Sequence, residues 1–110
     1  MNASLMQPVM NNTRWREIQT AMIELKSVQT LWRTRCLENS FISAWDGEWF
    51  YHFFQGCYTD IEWVEIKVEG ESEREIVLSR LKKIHVPGEV TEHGFKVFGY
   101  IPAGQTVDYL

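Results

Sequence analysis

The chain has 110 residues, of which 45% are hydrophobic and 24% are charged, and its formal net charge is −4. This length and composition predict one globular domain and exclude two domains that each have a core. No apolar run approaches the roughly 18 residues of a membrane-spanning helix, and the N-terminal residues lack the basic and apolar segments of a secretory signal. We therefore expect a cytoplasmic protein that makes no contact with a membrane.

The charged residues are distributed unevenly along the chain. Residues 36–75 contain ten acidic and two basic residues, a net charge of −8, and the remaining residues sum to +4. Binding to duplex nucleic acid requires clustered lysine and arginine, so this segment predicts that nucleic acid is not a partner. Two interpretations of the acidic segment stay open: a solvated acidic face, and a surface that attracts a basic protein partner.

The chain contains two cysteines, Cys36 and Cys57, which lack the CxxC spacing of metal and redox sites. In a reducing compartment such cysteines are usually free thiols rather than a disulfide or a metal-binding pair. The sequence therefore predicts two free, buried thiols.

The first predicted helix can be capped by Asn12 or Thr13. Its apolar residues recur at spacings of three and four, which places them on one helix face that ends near Ser27. These residues are Trp15, Ile18, Met22 and Leu25. Residues 1–11, before this helix, are predicted to be a loose extension of a single domain that spans residues 12–110.

The second predicted helix begins at Ser72, because residues 72–75 have the spacing of a capping box. Basic residues lie in its last turn, where cations complement the helix dipole, and Pro87 and Gly88 end it. Its apolar stripe consists of Val77, Leu78, Leu81 and Ile84, and its basic end consists of Lys82, Lys83 and His85.

Two segments have the alternation or the β-branched residues of single strands. Residues 32–37 place Arg33 and Arg35 on one side of a strand. The opposite side of that strand carries Trp32, Thr34 and Cys36. Residues 61–68 are rich in β-branched residues and are predicted to form the next strand.

The stretch WDGEWFYHFF contains an Asp-Gly pair between aromatic residues. Asp46 and Gly47 predict a type I′ turn, in which both residues have positive φ, within a hairpin of residues 41–54. In that register Trp45 is opposite Glu48, and directly opposed residues share a face. The predicted core face comprises Ile42, Ala44, Trp49, Tyr51 and Phe53. The second face comprises Phe41, Ser43, Trp45, Glu48, Phe50 and His52.

The order of the elements predicts an α+β domain. A further hairpin, residues 89–101, turns at His93 and Gly94. The predicted sheet is mostly antiparallel and has about five to six strands, with two helices packed on one of its faces.

Aromatic rings and carboxylates on the second hairpin face form the candidate binding site. Aromatic anchors bordered by charges are typical of interface hot spots, and a contiguous apolar patch usually marks a binding site. The predicted function is a protein–protein interaction module, immunity-like or adaptor-like, with a basic protein as partner. Two alternatives are a cover formed by residues 102–110 and a homodimer that buries the same rings. The predicted partner-binding residues are Phe41, Trp45, Glu48, Phe50 and His52.

The alternative function is a small ligand-binding domain or a metal-dependent enzyme. It would use Asp60, Glu62 and His52, whose side chains can bind metal or transfer protons. Asp60 and Glu62 lie ~7 Å apart along a strand, so a third ligand would have to come from a neighbouring strand. The sequence contains no glycine-rich phosphate loop, nucleophile elbow or HExxH motif. We therefore predict no cofactor and no stoichiometric zinc, and the sequence favours a non-enzymatic protein.

Five short motifs carry a resemblance to a known family: NTRW, WRTR, WDGEWFYHF, IEWVEI and GFKVFG. Over about residues 11–110 the chain is similar to an uncharacterised family of small bacterial proteins, a domain of unknown function. The resemblance implies no activity, cofactor or catalytic residue.

Overall fold

The computed structural model describes residues 5–25, 27–49 and 61–110. These residues form two helices and six strands, which confirms the predicted α+β class. No helix in these ranges has the length and apolar character needed to cross a membrane. The elements in chain order are β1 (Met6–Pro8), α1 (Asn12–Glu24), β2 (Leu31–Cys36), β3 (Ile61–Lys67), α2 (Glu71–Ile84), β4 (Gly88–Val90), β5 (Gly94–Phe98) and β6 (Tyr100–Pro102).

The described strands form two antiparallel sheets rather than one. A four-stranded sheet has the order β2-β3-β5-β4, and β1 pairs with β6 in a second sheet. β1 lies within residues 1–11, so this part of the predicted loose extension is bound to the rest of the domain. Val9 continues the attachment, because its N–H donates to the Gly99 carbonyl at 2.9 Å.

α1 follows the predicted apolar spacing. Its N-cap residue is Asn11, whose side chain accepts a 2.8 Å hydrogen bond from the Arg14 N–H. The helix ends at Glu24, before the predicted end near Ser27. Its buried residues are Trp15, Ile18, Gln19, Ala21 and Met22.

The cap of α2 differs from the predicted capping box. The N-cap residue is Gly70, which makes no side-chain hydrogen bond, and Ser72 lies inside the helix. Gly70 has φ of 88°, and the Glu73 carboxylate lies where a β-carbon at Gly70 would be. The positive φ of this turn requires glycine. The capping-box prediction is wrong, because Ser72 lies inside the helix and does not cap it. The predicted apolar stripe is confirmed, with Val77 and Leu81 buried and Leu78 and Ile84 partly buried against the core.

One face of the four-stranded sheet packs against both helices. Trp32, Ile66 and Phe95 are neighbours across β2, β3 and β5 on this face. They share one buried cluster with Trp15 of α1 and Leu81 of α2. We call the opposite face the outer face. Its central row across the four strands is Arg33, Glu65, Lys96 and Glu89.

The hairpin predicted about His93 and Gly94 is formed by β4 and β5. Val90 pairs with Phe95, and the Thr91 N–H donates to the Gly94 carbonyl at 2.8 Å. Phe95 and Val97 of β5 are buried, so this side of the hairpin faces the core.

The C-terminal residues lie along the β4 edge of the sheet. The Gly88 N–H donates to the Asp108 carbonyl at 3.0 Å, and the Leu110 N–H donates to the Val86 carbonyl at 3.1 Å. The Tyr109 bridge with Pro87 completes this pairing. The end of the chain is therefore bound at the edge of the sheet opposite β2.

The type I′ turn predicted at Asp46 and Gly47 is wrong. Neither residue has the positive φ that this turn needs. Residues 41–46, which we call the edge segment, pair with β2 instead, and Asp46 exchanges two 2.8 Å backbone hydrogen bonds with that strand. The Asp46 carboxylate also accepts a 2.8 Å hydrogen bond from the Glu48 N–H, which bends the chain. Residues 50–54 of the predicted hairpin lie outside the described residues.

The prediction of two free thiols is wrong for Cys36, which is disulfide-bonded. Cys57 lies outside the described residues. A disulfide requires two Cα atoms within about 7 Å, a distance that depends on the fold and that the sequence spacing does not reveal.

Candidate functional site

The edge segment begins with a tight turn that follows β2. Ser40 has φ of 60° and donates its N–H to the Cys36 carbonyl at 2.9 Å. The Phe41 N–H donates to the side-chain oxygen of Asn39 at 3.0 Å, and the Phe41 carbonyl accepts from the Cys36 N–H at 2.9 Å. These bonds direct the chain back along β2.

One extra residue interrupts the pairing of the edge segment with β2. Arg35 pairs with Ile42 and Trp32 pairs with Asp46, so two β2 residues between those pairs face three residues, 43–45. An extra residue of this kind is a β-bulge, which bends the strand and changes the direction of its side chains.

The bulge decides which face of the sheet two apolar side chains occupy. Ile42 and Trp45 are three positions apart, so in a regular strand they would point to opposite faces. The extra residue instead places Ile42 beside Arg35 and Trp45 beside Arg33. Both arginines belong to the outer face, so the edge segment adds two apolar side chains to that face.

The Trp45 ring is half-buried among cationic and imidazole side chains. Its centroid lies 4.4 Å from the guanidinium carbon of Arg33 and 5.6 Å from the Lys67 Nζ. The His93 ring makes an edge contact with it, at a centroid distance of 5.4 Å and an interplanar angle of 73°. Aromatic rings attract cations within about 6 Å of their centroid. Trp45 therefore connects the edge segment to β2, to β3 and to the β4–β5 turn.

A buried carboxylate holds Arg33 in place beneath this contact. Glu65 Oε1 accepts from Arg33 Nε at 3.1 Å and from Arg33 Nη2 at 2.9 Å. Glu65 Oε2 accepts from the Thr91 hydroxyl at 2.8 Å, and that hydroxyl oxygen accepts from the Gly94 N–H at 3.1 Å. Both oxygens of this buried carboxylate are thus hydrogen-bonded, as a buried charge requires.

Two consecutive apolar residues of the edge segment are exposed. Phe41 is 61% exposed and Ile42 is 41% exposed. Ile42 is assigned to the core face by the predicted hairpin, and its position on the outer face follows from the bulge. Trp49, assigned to the same core face, is buried as predicted.

The structure separates the predicted partner-binding residues into three groups. Phe41 is exposed at the start of the edge segment, and Trp45 is half-buried on the outer face. Glu48 is half-buried, and its carbonyl accepts from the Trp32 ring N–H at 3.0 Å. Phe50 and His52 lie outside the described residues.

Sequence reasoning missed the cations around Trp45. The alternation of residues 32–37 predicts that Arg33 and Arg35 share one strand side, and the structure confirms this. No sequence pattern connects them with Lys67 or His93, because those residues approach only through strand pairing.

The alternative metal or enzyme site has one described member, Glu62. Its Oε1 accepts from Arg35 Nε at 3.1 Å, so this carboxylate has a structural partner on β2. Asp60 and His52 lie outside the described residues. Within residues 5–25, 27–49 and 61–110, no three His, Cys, Asp or Glu side chains are grouped as metal ligands.

Two grooves flank the loop of residues 27–30, next to the end of the edge segment. Their volumes are about 630 Å³ and about 660 Å³, within the range of small-molecule sites. The first is lined partly by Leu31 and Lys67, and the second partly by Glu48 and Trp49. Glu62 lines neither groove, so they do not extend the predicted metal site.

Comparison with known proteins gives a family without a known activity. A model of DUF6678, a family of unknown function, matches residues 1–104. No curated protein and no solved structure matches the chain. The match spans nearly the whole chain, and the protein therefore belongs to the DUF6678 family.

Proposed function

We propose that this protein is a protein–protein interaction module, immunity-like or adaptor-like, that binds a basic protein along its edge segment. The observation that carries the proposal is the exposure of Phe41 and Ile42 on a segment that backbone hydrogen bonds hold in place. Trp45 and Glu48, further along the chain, are half-buried. Phe50 and His52, outside the described residues, stay predicted members of the binding surface.

The two exposed side chains support a contact with another protein. Phe41 and Ile42 are neighbours on an extended segment, so they point in different directions and present apolar surface on both sides of the edge. Burying one large apolar side chain contributes roughly 1.5–3 kcal/mol. A partner that wraps around the edge would bury both side chains, and this burial favours association.

The local charge indicates the class of partner. Residues 36–49 contain the acidic residues Glu38, Asp46 and Glu48, and they contain no lysine, arginine or histidine. The positive charges of the two β2 arginines are neutralised by carboxylates, because Arg33 and Arg35 each form an ion pair with a glutamate of β3. An acidic edge with apolar anchors is complementary to a basic protein surface, which would also increase the association rate.

The test is quantitative affinity capture from the native cell with wild-type protein and the double variant Phe41→Ser/Ile42→Ser. We expect a basic protein to be recovered with the wild type and to be reduced about tenfold or more with the double variant, the effect of losing ~1.4 kcal/mol at an interface. Thermal unfolding checks that the double variant is folded.

The matched control is Val90→Ser on β4, the strand at the other edge of the sheet. Val90 is 63% exposed, so this variant removes exposed apolar surface away from the edge segment. It should recover the partner as the wild type does. Equal recovery with the double variant and the control would reject the edge segment as the binding surface. A dimer in sedimentation that the double variant abolishes would instead make a second copy of the chain the partner.

A further inference from the structure

We infer that Ser43 and Trp45 are positioning residues of this surface: together they hold the β-bulge that places Ile42 on the outer face. The biological role of this device rests on the proposed function. Its geometry can be tested without any partner, so the two proposals can fail separately.

Ser43 supplies the hydrogen bond that a bulge removes from regular pairing. Its N–H donates to the Thr34 carbonyl at 2.9 Å, and its hydroxyl oxygen accepts from the Thr34 N–H at 3.0 Å. The same hydroxyl donates to the Ala44 carbonyl at 3.1 Å. The side chain thus replaces a backbone carbonyl as the acceptor for Thr34, which is buried and needs one.

Trp45 fixes the other end of the bulge. Its ring contacts Arg33 on β2, Lys67 on β3 and His93 in the β4–β5 turn, so three elements hold one side chain of the edge segment. Arg33 is itself held by the buried Glu65. Regular pairing would move Trp45 away from these cations. The contacts of the ring therefore stabilise the bulged pairing relative to regular pairing.

The contacts couple the edge segment to a distant part of the chain. The path runs from Trp45 through Arg33 and Glu65 to Thr91, which precedes the β5 strand. The edge segment is therefore connected, through Arg33 and Glu65, to the β4–β5 hairpin.

Amide hydrogen exchange and proton NMR test this inference on the full chain. In Trp45→Ala we expect exchange at the Ser43 and Asp46 N–H groups to accelerate by about tenfold, since the cation–π contacts that close this segment are lost. Trp45→Phe should restore part of the protection. Ser43→Ala should accelerate exchange at the Thr34 N–H in particular.

Side-chain contacts measured by NMR supply the second readout. The wild type should show contacts between Ile42 and Arg35, and these should weaken in Trp45→Ala and Ser43→Ala. A structural effect spread over the whole domain would accelerate exchange in β5 to the same extent, which would contradict positioning. The matched control is Tyr109→Ala, which removes a ring that stacks on His85 at the other edge and should leave the edge segment unchanged.

Two results would overturn the inference. Exchange at Ser43 and Asp46 within about twofold of wild type in Trp45→Ala would overturn the inference, because loss of these contacts predicts a larger change. If Trp45→Ala does not fold, Lys67→Met replaces it, because this variant removes only one of the cations that contact the Trp45 ring. Hydrogen exchange at the Asp46 N–H should then accelerate by less than about tenfold. Unchanged exchange at Asp46 would overturn the inference. Partner capture by Phe41→Ser/Ile42→Ser tests the proposed function only. Its outcome does not bear on whether Ser43 and Trp45 hold the bulge.

Discussion

Trp49 is a single residue whose ring and backbone carbonyl join three parts of the molecule. Its ring N–H donates to the Thr30 hydroxyl at 2.9 Å, and its carbonyl accepts from the buried Gln19 amide at 2.7 Å. Its ring also lies 5.9 Å from the Trp32 ring, with a tilt of 50°. A buried ring whose neighbours are buried polar groups contributes both packing and hydrogen bonding.

Replacing Trp49 by alanine should therefore lower the free energy of unfolding by ~3–5 kcal/mol, because a cavity forms and the buried Thr30 hydroxyl loses the ring N–H that donates to it. Urea unfolding measures the change. Tyr109→Ala, at an exposed site, should cost less than ~1 kcal/mol. A Trp49→Ala variant that resembles Tyr109→Ala would show that Trp49 is not a core residue.

The two arginines of β2 offer a matched comparison of ion pairs. Arg33 pairs with Glu65, whose side chain is 5% exposed, and Arg35 pairs with Glu62, whose side chain is 24% exposed. Arg33→Met should lower the free energy of unfolding by about 2–3 kcal/mol, because it leaves a buried charge without its cation. Arg35→Met should cost less than ~1 kcal/mol, as surface pairs do. Equal losses in urea unfolding would argue against the burial of Glu65.

At the scale of elements, the edge segment shows how one extra residue changes a surface. The bulge between its two bridges turns both Ile42 and Trp45 to the outer face. A regular hairpin about Asp46 and Gly47 would instead place Ile42 in the core. The same residues thus form different surfaces in the two pairings.

Gly47→Ala distinguishes these two arrangements. Gly47 does not have positive φ, and a β-carbon there would meet only the flexible Leu31 side chain, at 3.1 Å. The variant should therefore stay within ~1 kcal/mol of the wild type in urea unfolding. The control is Gly104→Ala, where φ is 86° and space is open, so backbone strain alone costs ~1–2 kcal/mol. An equal loss at Gly47 would support a turn with positive φ.

At the scale of the whole molecule, the acidic segment does not form one uniform surface. Glu62 and Glu65 are paired with arginines of β2. Glu71 and Glu73 lie in the first turn of α2, where they complement the helix dipole. Under the proposed function, the acidic residues that would attract a basic partner are those near the edge segment, Glu38, Asp46 and Glu48.

The disulfide at Cys36 constrains the unfolded chain. The chain has one other cysteine, Cys57, and a link between the two would close a loop of about twenty residues, worth ~3 kcal/mol by loop entropy. Reduction should lower the stability in urea by about that amount, whereas Cys36→Ser should be insensitive to reductant. Denatured protein that yields two free thiols without reductant would contradict the bond. Because disulfides persist in oxidising compartments, thiol titration of protein taken directly from cells also tests the predicted cytoplasmic location.

The sequence by itself determined the elements whose pattern is local. The spacing of Trp15, Ile18 and Met22 identifies the buried face of α1, and the alternation in residues 32–37 identifies the two sides of β2. The hairpin of β4 and β5 follows from a turn between apolar alternations. In each case residues spaced by the period of the backbone, 3.6 residues in a helix or 2 in a strand, lie on the same face. A short stretch of sequence is therefore enough to identify that face.

Tertiary structure alone decided the partner of the edge segment and the place of Gly70 as the cap of α2. The Asp-Gly pair favours a hairpin locally, but Trp32 offers Asp46 a backbone N–H and carbonyl, and Trp45 gains cations from β2 and β3. The choice between competing pairings is a sum over contacts from distant parts of the chain, and no short window of sequence contains that sum. The exposed surface at Phe41 and Ile42 is a product of that choice.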